Sequence, residues 1–312
     1  MLKAALKNSS VFVQVLLFVA LVFFGYMAVS MISVIIFLFQ TGLDFGTLDV
    51  LQADLLNRPG LLKMMQTLQI FGMFIFPAVV CAWLYSDNLQ SYLKLESKIS
   101  WKLWMLTALS TLAVIPFLNC TYMINQQMVF PEWLRGVENW MTMMEETNNR
   151  ILETMLYVHH WWDLPVNILL VCVLTAIGEE LIFRGLLQNL LGRAIRNPHV
   201  VIWITAIVFS AFHLQFYGFI PRMLIGAFLG YLMYYGGSIW LPIVAHFTNN
   251  LFSTLTFTVF QDSPEIAKEI DALGYGSTWW LAALSVVLFA GLVYVIFQRL
   301  ARGYYPRAIN KK

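Results

Sequence analysis

The stretch "DLPVNILLVCVLTAIGEELIFRGLLQNL", Asp163 to Leu190, is long and apolar, and a membrane span needs about 20 mainly apolar residues. In its middle "GEELIFRG", Gly178 to Gly185, sets two carboxylates and a guanidinium: Glu179, Glu180 and Arg184. An ionisable group near the bilayer centre costs about 2.5–3.5 kcal/mol on insertion scales. Residues kept at that cost face a protein interior or a wet cavity and mark function. The stretch therefore reads as a membrane helix carrying a site.

Composition supports that reading. The chain has 312 residues, 60% of them hydrophobic and 12% charged, with a mean hydropathy of +0.71. The charged share is about half that of soluble domains. The expected fold is an all-α polytopic membrane protein, one integral membrane domain over residues 1–312. A formal net charge of +2 gives no reason to expect nucleic acid. Cys81, Cys120 and Cys172 are too few and too scattered for a disulfide framework or a Cys-based zinc site.

Eight apolar segments are candidate spans: 11–39, 62–85, 102–119, 163–190, 199–215, 221–236, 238–258 and 277–298. The first outruns the roughly 7–15 apolar residues of a signal peptide and lacks a cleavage site, so it is expected to stay as a helix. Eight spans place Lys3, Lys7, Lys94, Lys98, Lys102, Arg193, Arg196, Arg299, Arg302, Arg307, Lys311 and Lys312 on one side. Arg58, Lys63, Arg135, Arg150, Arg222 and Lys268 fall on the other, among many acids. The positive-inside rule then puts both termini in the cytoplasm. Seven or nine spans would scramble the asymmetry.

Between the third and fourth spans, residues 131–156 read as an amphipathic extracytoplasmic helix. Trp133, Val137, Trp140, Met144 and Ile151 recur at helical spacing, with Glu132, Glu138, Glu145, Asn149 and Arg150 opposite. Pro131 suits the first turn. The segment is a surface connector or a lid over a site. The neighbouring "HHWWD", His159 to Asp163, reads as an aromatic interfacial anchor.

Polar residues inside the spans form three clusters. Glu180 and Arg184 are at i,i+4 and can pair on one helical face. Glu179 points about 100° away and is free to act as a general base. An ion pair that locks packing would explain Glu180 and Arg184 but not Glu179. In "FSAFH", His213 lies deep in the fifth span; a lone histidine there is either a satisfied core residue or a site residue. In "AHFTNN", His246 and Asn250 share a face at i,i+4, with Asn249 on another. They are either an interhelical hydrogen-bond pair or donors for a developing oxyanion. Counting rises from the span ends places all three clusters inside the bilayer, so one shared cavity is geometrically feasible.

A carboxylate, two imidazoles and an amide suit hydrolysis of a carbonyl compound by water. No G-x-S-x-G elbow and no Cys paired locally with His supplies a nucleophile. A second route is a metal: Glu179, His213 and His246 are candidate ligands for divalent zinc with an open position, although H-E-x-x-H is absent.

Taken together, Glu179-Glu180-x-x-x-Arg184, Phe209-x-x-x-His213 and His246-x-x-x-Asn250 resemble the CPBP family of intramembrane proteases. That family includes the Rce-type CAAX prenyl endopeptidases and the bacterial bacteriocin-processing and immunity (ABI) proteins. The resemblance covers residues 163–258, the expected catalytic core. It implies an eight-helix core whose site opens to the cytoplasm. Glu179 would be the water-activating base and His213 would help hold the water. His246 and Asn250 would stabilise the oxyanion, while Glu180 and Arg184 would brace the helices or support the base. The family is often classed as metalloproteases, yet a glutamate base needs no metal. Expected partners are the bilayer and a membrane-associated peptide or protein substrate, in a bacterial inner membrane. The alternatives are a non-proteolytic membrane scaffold or immunity-like protein, and a proton-coupled transporter, for which no repeat symmetry is visible.

Overall fold

The computed structural model describes residues 2–42 and 55–303. The tail residues Arg307, Lys311 and Lys312, counted above with the basic side, lie outside the described residues. Within the described residues every regular element is a helix.

Helix α1 spans Val11–Thr41. Ser10 caps its start by accepting from the Val13 N–H at 3.4 Å. It stops at Gly42, which adopts φ +65° and returns its N–H to the Leu38 carbonyl, a left-handed C-terminal cap that glycine makes without a Cβ penalty. Helix α2 (Pro59–Tyr85) and helix α3 (Trp101–Asn125) follow. Helix α3 is interrupted at Val114, just before Pro116, because proline cannot donate in the helical ladder. Next come α4 (Arg135–Leu156), α5 (Asp163–Ala194), α6 (Pro198–Ala211), α7 (Phe219–Gly236), α8 (Trp240–Phe260), α9 (Pro264–Asp271) and α10 (Trp279–Gly303).

All eight segments expected to span are helical. Among the described residues six helices are long and apolar enough to cross a membrane, so this is a polytopic membrane protein. Helix α6 has 14 residues and rises about 21 Å. Helix α8 has 21 residues but carries His246, Asn249 and Asn250.

Helix α5 runs through the middle of the bundle and half of its apolar window is buried, against 6% for α1 at the periphery. Helix α1 still has a fixed seat on α2. A Cβ added to Gly25 would lie 2.1 Å from the Gly72 carbonyl oxygen. Small residues let membrane helices approach this closely. Replacing Gly25 with leucine is expected to cost about 1–3 kcal/mol, the usual penalty of overpacking. A lowered thermal midpoint in detergent would show it. Gly291→Ala, where nothing lies within 4 Å, serves as the neutral control.

The bundle has two distinct ends. At one, the Ala4 N–H donates to Trp83 O at 2.9 Å, Lys7 pairs with Asp87, and Ser97 Oγ donates to Gly237 O at 2.9 Å. Arg193 also reaches Gln14 here. At the other, Asn125 Nδ2 donates to Phe216 O at 3.1 Å, Tyr157 Oη to Asp262 at 2.8 Å, and Lys63 pairs with Asp163 at 3.5 Å. The first end carries the N-terminal residues and the 86–100 loop. The second carries α4, α9 and the "HHWWD" turn. In that turn Asp163 accepts from the His159 and His160 N–H groups at 3.0 and 2.9 Å, while Trp161 is exposed, as an interfacial anchor would be. The three cysteines are free, with Cys81 and Cys172 buried and Cys120 half-buried.

Candidate active site

Helix α5 is not a regular α-helix. Segments of π-helix, Ile168–Leu174 and Leu181–Leu187, flank Thr175–Glu180. Such segments widen one turn and free carbonyl groups, and they recur at functional sites. Here the Thr175 N–H bonds to Leu170 O instead of Val171 O, Thr175 Oγ1 also donates to Leu170 O at 3.0 Å, and Asn250 Nδ2 on α8 donates to Val171 O at 3.0 Å.

Glu180 and Arg184 form the expected pair, Nη1 to Oε1 at 2.8 Å, with both side chains fully buried. Arg184 Nη2 also donates to Gly226 O on α7 at 2.9 Å, and its guanidinium carbon lies 4.5 Å from the Phe209 ring centre. Glu180 Oε1 accepts a second bond, from His246 Nδ1 at 2.8 Å. The pair therefore does more than join turns of one helix. It ties α5 to α7 and fixes the orientation of the α8 imidazole.

His213 is fixed in the same way from another side. Its Nδ1 donates to the Phe209 carbonyl at 2.9 Å, four residues earlier. With both Nδ1 atoms engaged, both Nε2 atoms turn to Glu179. The Glu179 Oε2 atom lies 3.9 Å from His213 Nε2 and 3.8 Å from His246 Nε2. It is buried and has no hydrogen-bond partner. Buried polar atoms are almost always satisfied, and this carboxylate oxygen, placed between two imidazoles, is one of the few here that is not. Phe209 packs edge-on to both rings, at 5.0 and 5.8 Å, and walls the site.

These groups line one cavity of 430 Å³, which Glu179, His213, His246, Asn249 and Asn250 all reach. Asn249, expected on another face, lies beside Asn250, with its amide nitrogen 3.5 Å from Asn250 Oδ1. Asn250 has spent one N–H on Val171 and keeps the other. Two charged residues near the site escaped the sequence reading. Arg222, counted only among the charges of one side at the edge of its span, lines the cavity and donates to Gln215 O at 3.0 Å. Glu145, assigned to the solvated face of α4, is buried and accepts from the Tyr217 N–H at 3.3 Å. Burial pushes its carboxyl above the usual carboxylate range.

Helix α4 roofs the cavity. Asn148, Ile151, Leu152 and Met155 line it, and Asn149 accepts from Gln215 Nε2 at 2.8 Å. Trp133, Val137 and Trp140 point outward and are exposed. The amphipathic helix thus packs part of its polar face on the bundle and turns the tryptophans out, because the surrounding medium suits aromatic rings.

The cavity has a direction. From Glu179 it continues along Thr175 and Val171, and from His246 along Asn250 and Thr254, toward the end carrying α4 and α9. Past Glu179 the other way, Leu186, Leu190, Leu93 and Ile239 close the core. The N-terminal residues sit at that closed end. A cytoplasmic N-terminus and a cavity open to the cytoplasm therefore exclude each other.

Two imidazoles with tied Nδ1 atoms and a carboxylate are the donor types zinc takes. Yet among the described residues no group of three or more His, Cys, Asp or Glu is spaced to hold a metal ion.

Comparison with known proteins matches the same segment. Residues 161–252 fit the model of a family described as type II CAAX prenyl endopeptidase Rce1-like. The segment is similar to that family over these residues. A Bacillus subtilis protein, YpbD, itself described as uncharacterized, is 29% identical over 85 residues. That match spans 26% of this chain and 40% of the relative. No solved structure matches. The matched segment contains Glu179, Glu180, Arg184, His213, His246 and Asn250.

Proposed function

We propose that the protein is an intramembrane endopeptidase that hydrolyses a peptide bond with a glutamate-activated water. The observation that carries this reading is the buried, unpartnered Glu179 Oε2 facing two oriented imidazoles. Glu179 takes a proton from water as its oxygen attacks the scissile carbonyl carbon. His213, pinned through Nδ1, holds the water by its Nε2 lone pair. Negative charge grows on the carbonyl oxygen. Glu180 supports positive charge on His246, whose Nε2–H then faces that oxyanion together with the remaining Asn250 N–H. The C–N bond breaks as Glu179 passes its proton to the leaving amine.

None of these steps needs a metal, and cleavage is expected to survive 1,10-phenanthroline. The setting is a bacterial inner membrane with both termini cytoplasmic, and the substrate is a membrane-associated polypeptide. The test is a comparison of new protein termini in membranes from cells expressing the wild type or Glu179→Gln. Termini found only with the wild type support hydrolysis. Identical termini, with both proteins inserted equally, would make the protein a scaffold instead.

A further inference from the structure

We infer that the substrate enters from the extracytoplasmic face, so that the enzyme acts on exported or outer-leaflet polypeptide rather than on a cytoplasmic chain. The inference rests on the hydrolase reading for the word substrate, but its geometry stands alone.

Three observations converge. First, on the two helices that carry Glu179 and His246 the lining residues run one way, on α5 from Glu179 through Thr175 to Val171. The lining residues of α8 run from His246 to Thr254, toward the end where α8 meets the turn before α5. There the Val158 N–H donates to Gln261 Oε1 at 2.9 Å. Second, the opposite end is sealed. Leu186 and Ile239 are completely buried there, and a Cβ on Gly185 would touch Leu93 and Ile239 at 3.0 and 3.3 Å. No water-filled route from that side reaches Glu179 through such packing.

Third, the two ends differ in charge. Among the described residues, nine Lys and Arg lie at the sealed end and six at the open end. At the open end Lys63 pairs with Asp163 and Arg135 with Glu132. Among the described residues the sealed end carries two acids, Asp87 and Glu96, and the open end carries ten, from Glu132 to Asp271. Basic residues stay in the cytoplasm, so the sealed end is cytoplasmic. The mouth, with Ser253, Asn148 and Gln215 beside the roof helix, faces out. Just beyond it, at the same end, lies a second hollow of 720 Å³ between α4, α8 and α9, lined by Glu153, Tyr157, Gln261 and Lys268. It continues the approach on that face.

The test is thiol labelling of full-length protein in spheroplasts, in a Cys120→Ala background because the other two cysteines are buried. Three single variants are compared: Lys98→Cys at the sealed end, and Lys268→Cys and Ser253→Cys at the open end and in the cavity. A small membrane-impermeant methanethiosulfonate is expected to label Lys268→Cys and Ser253→Cys in intact spheroplasts, and Lys98→Cys only after lysis. Labelling of Lys98→Cys before lysis overturns the inference. So does Ser253→Cys that labels only after lysis or not at all. Labelling needs no catalysis, and adding Glu179→Gln leaves its pattern unchanged. A reversed pattern with cleavage intact removes this inference alone. The expected pattern without any cleavage removes the hydrolase reading alone.

Discussion

Glu179→Gln is expected to lower the rate of cleavage by about 10²–10⁴-fold, the usual contribution of a general base, while leaving the protein folded. Glutamine has the shape of glutamate and can be buried in the same 8%-exposed position. No other residue depends on Glu179 for a hydrogen bond, since its Oε2 has no partner. The substitution removes the proton acceptor without opening a cavity. Single-turnover cleavage of a substrate found by terminus mapping gives the rate, and the thermal midpoint in detergent gives the fold. Loss of rate with an unchanged midpoint supports the base. An unchanged rate removes Glu179 from the chemistry, and a collapsed midpoint would make it structural.

The second large effect belongs to Arg184. Arg184→Met is expected to cost about 3–5 kcal/mol of stability, because removing one partner of a buried pair strands the other charge. Glu180 would be left in a fully buried position with only His246, and the Gly226 carbonyl would lose its donor. The measured result is a fall in thermal or denaturant midpoint. Arg184→Lys is expected to recover only part of it. A single ammonium on a flexible stem cannot reproduce a planar fork that reaches Glu180 and Gly226 together and lies against Phe209. Glu180→Gln should be milder, since an amide oxygen still accepts from both partners. Equal midpoints for Arg184→Met and wild type would show that the pair does not hold α5 to α7.

Much of this arrangement was visible in the residues. The Glu180–Arg184 contact follows from a spacing of four on a helix, and the direction of Glu179 follows from the next position along. The convergence of α5, α6 and α8 did not follow from spacing. It depends on crossing positions set by side chains far apart in the chain, such as Gly226 receiving Arg184. The Asn250 bond to Val171 was invisible for a different reason, since the acceptor exists because α5 departs from α-helical hydrogen bonding. Arg222 was counted only as a charge at the edge of its span, because an arginine one residue inside a span end can reach the interface. Its position at the first turn of α7, three residues before Ile225 on the same face, was the available signal. Glu145 was misplaced because a helix polar on one side is normally wet on that side. In α4 part of the polar side packs on the bundle instead, where Glu145 accepts from the Tyr217 N–H.

The π-helical segment Leu181–Leu187 has a consequence for how this chain tolerates length changes. A π-turn is equivalent to one residue accommodated beyond the α-helical count. Deleting a single residue between Arg184 and Gln188 would let α5 return to regular winding with the turns that follow still on their present faces. Gln188, which now donates to Gly230 O at 3.1 Å, would stay on α7, and Glu179 and Glu180 would keep their directions. The same deletion in the regular α-helical stretch Gln188–Ala194 would instead rotate everything after it by about 100°. The π-helical segment is therefore where α5 can shorten by one residue and keep its dock.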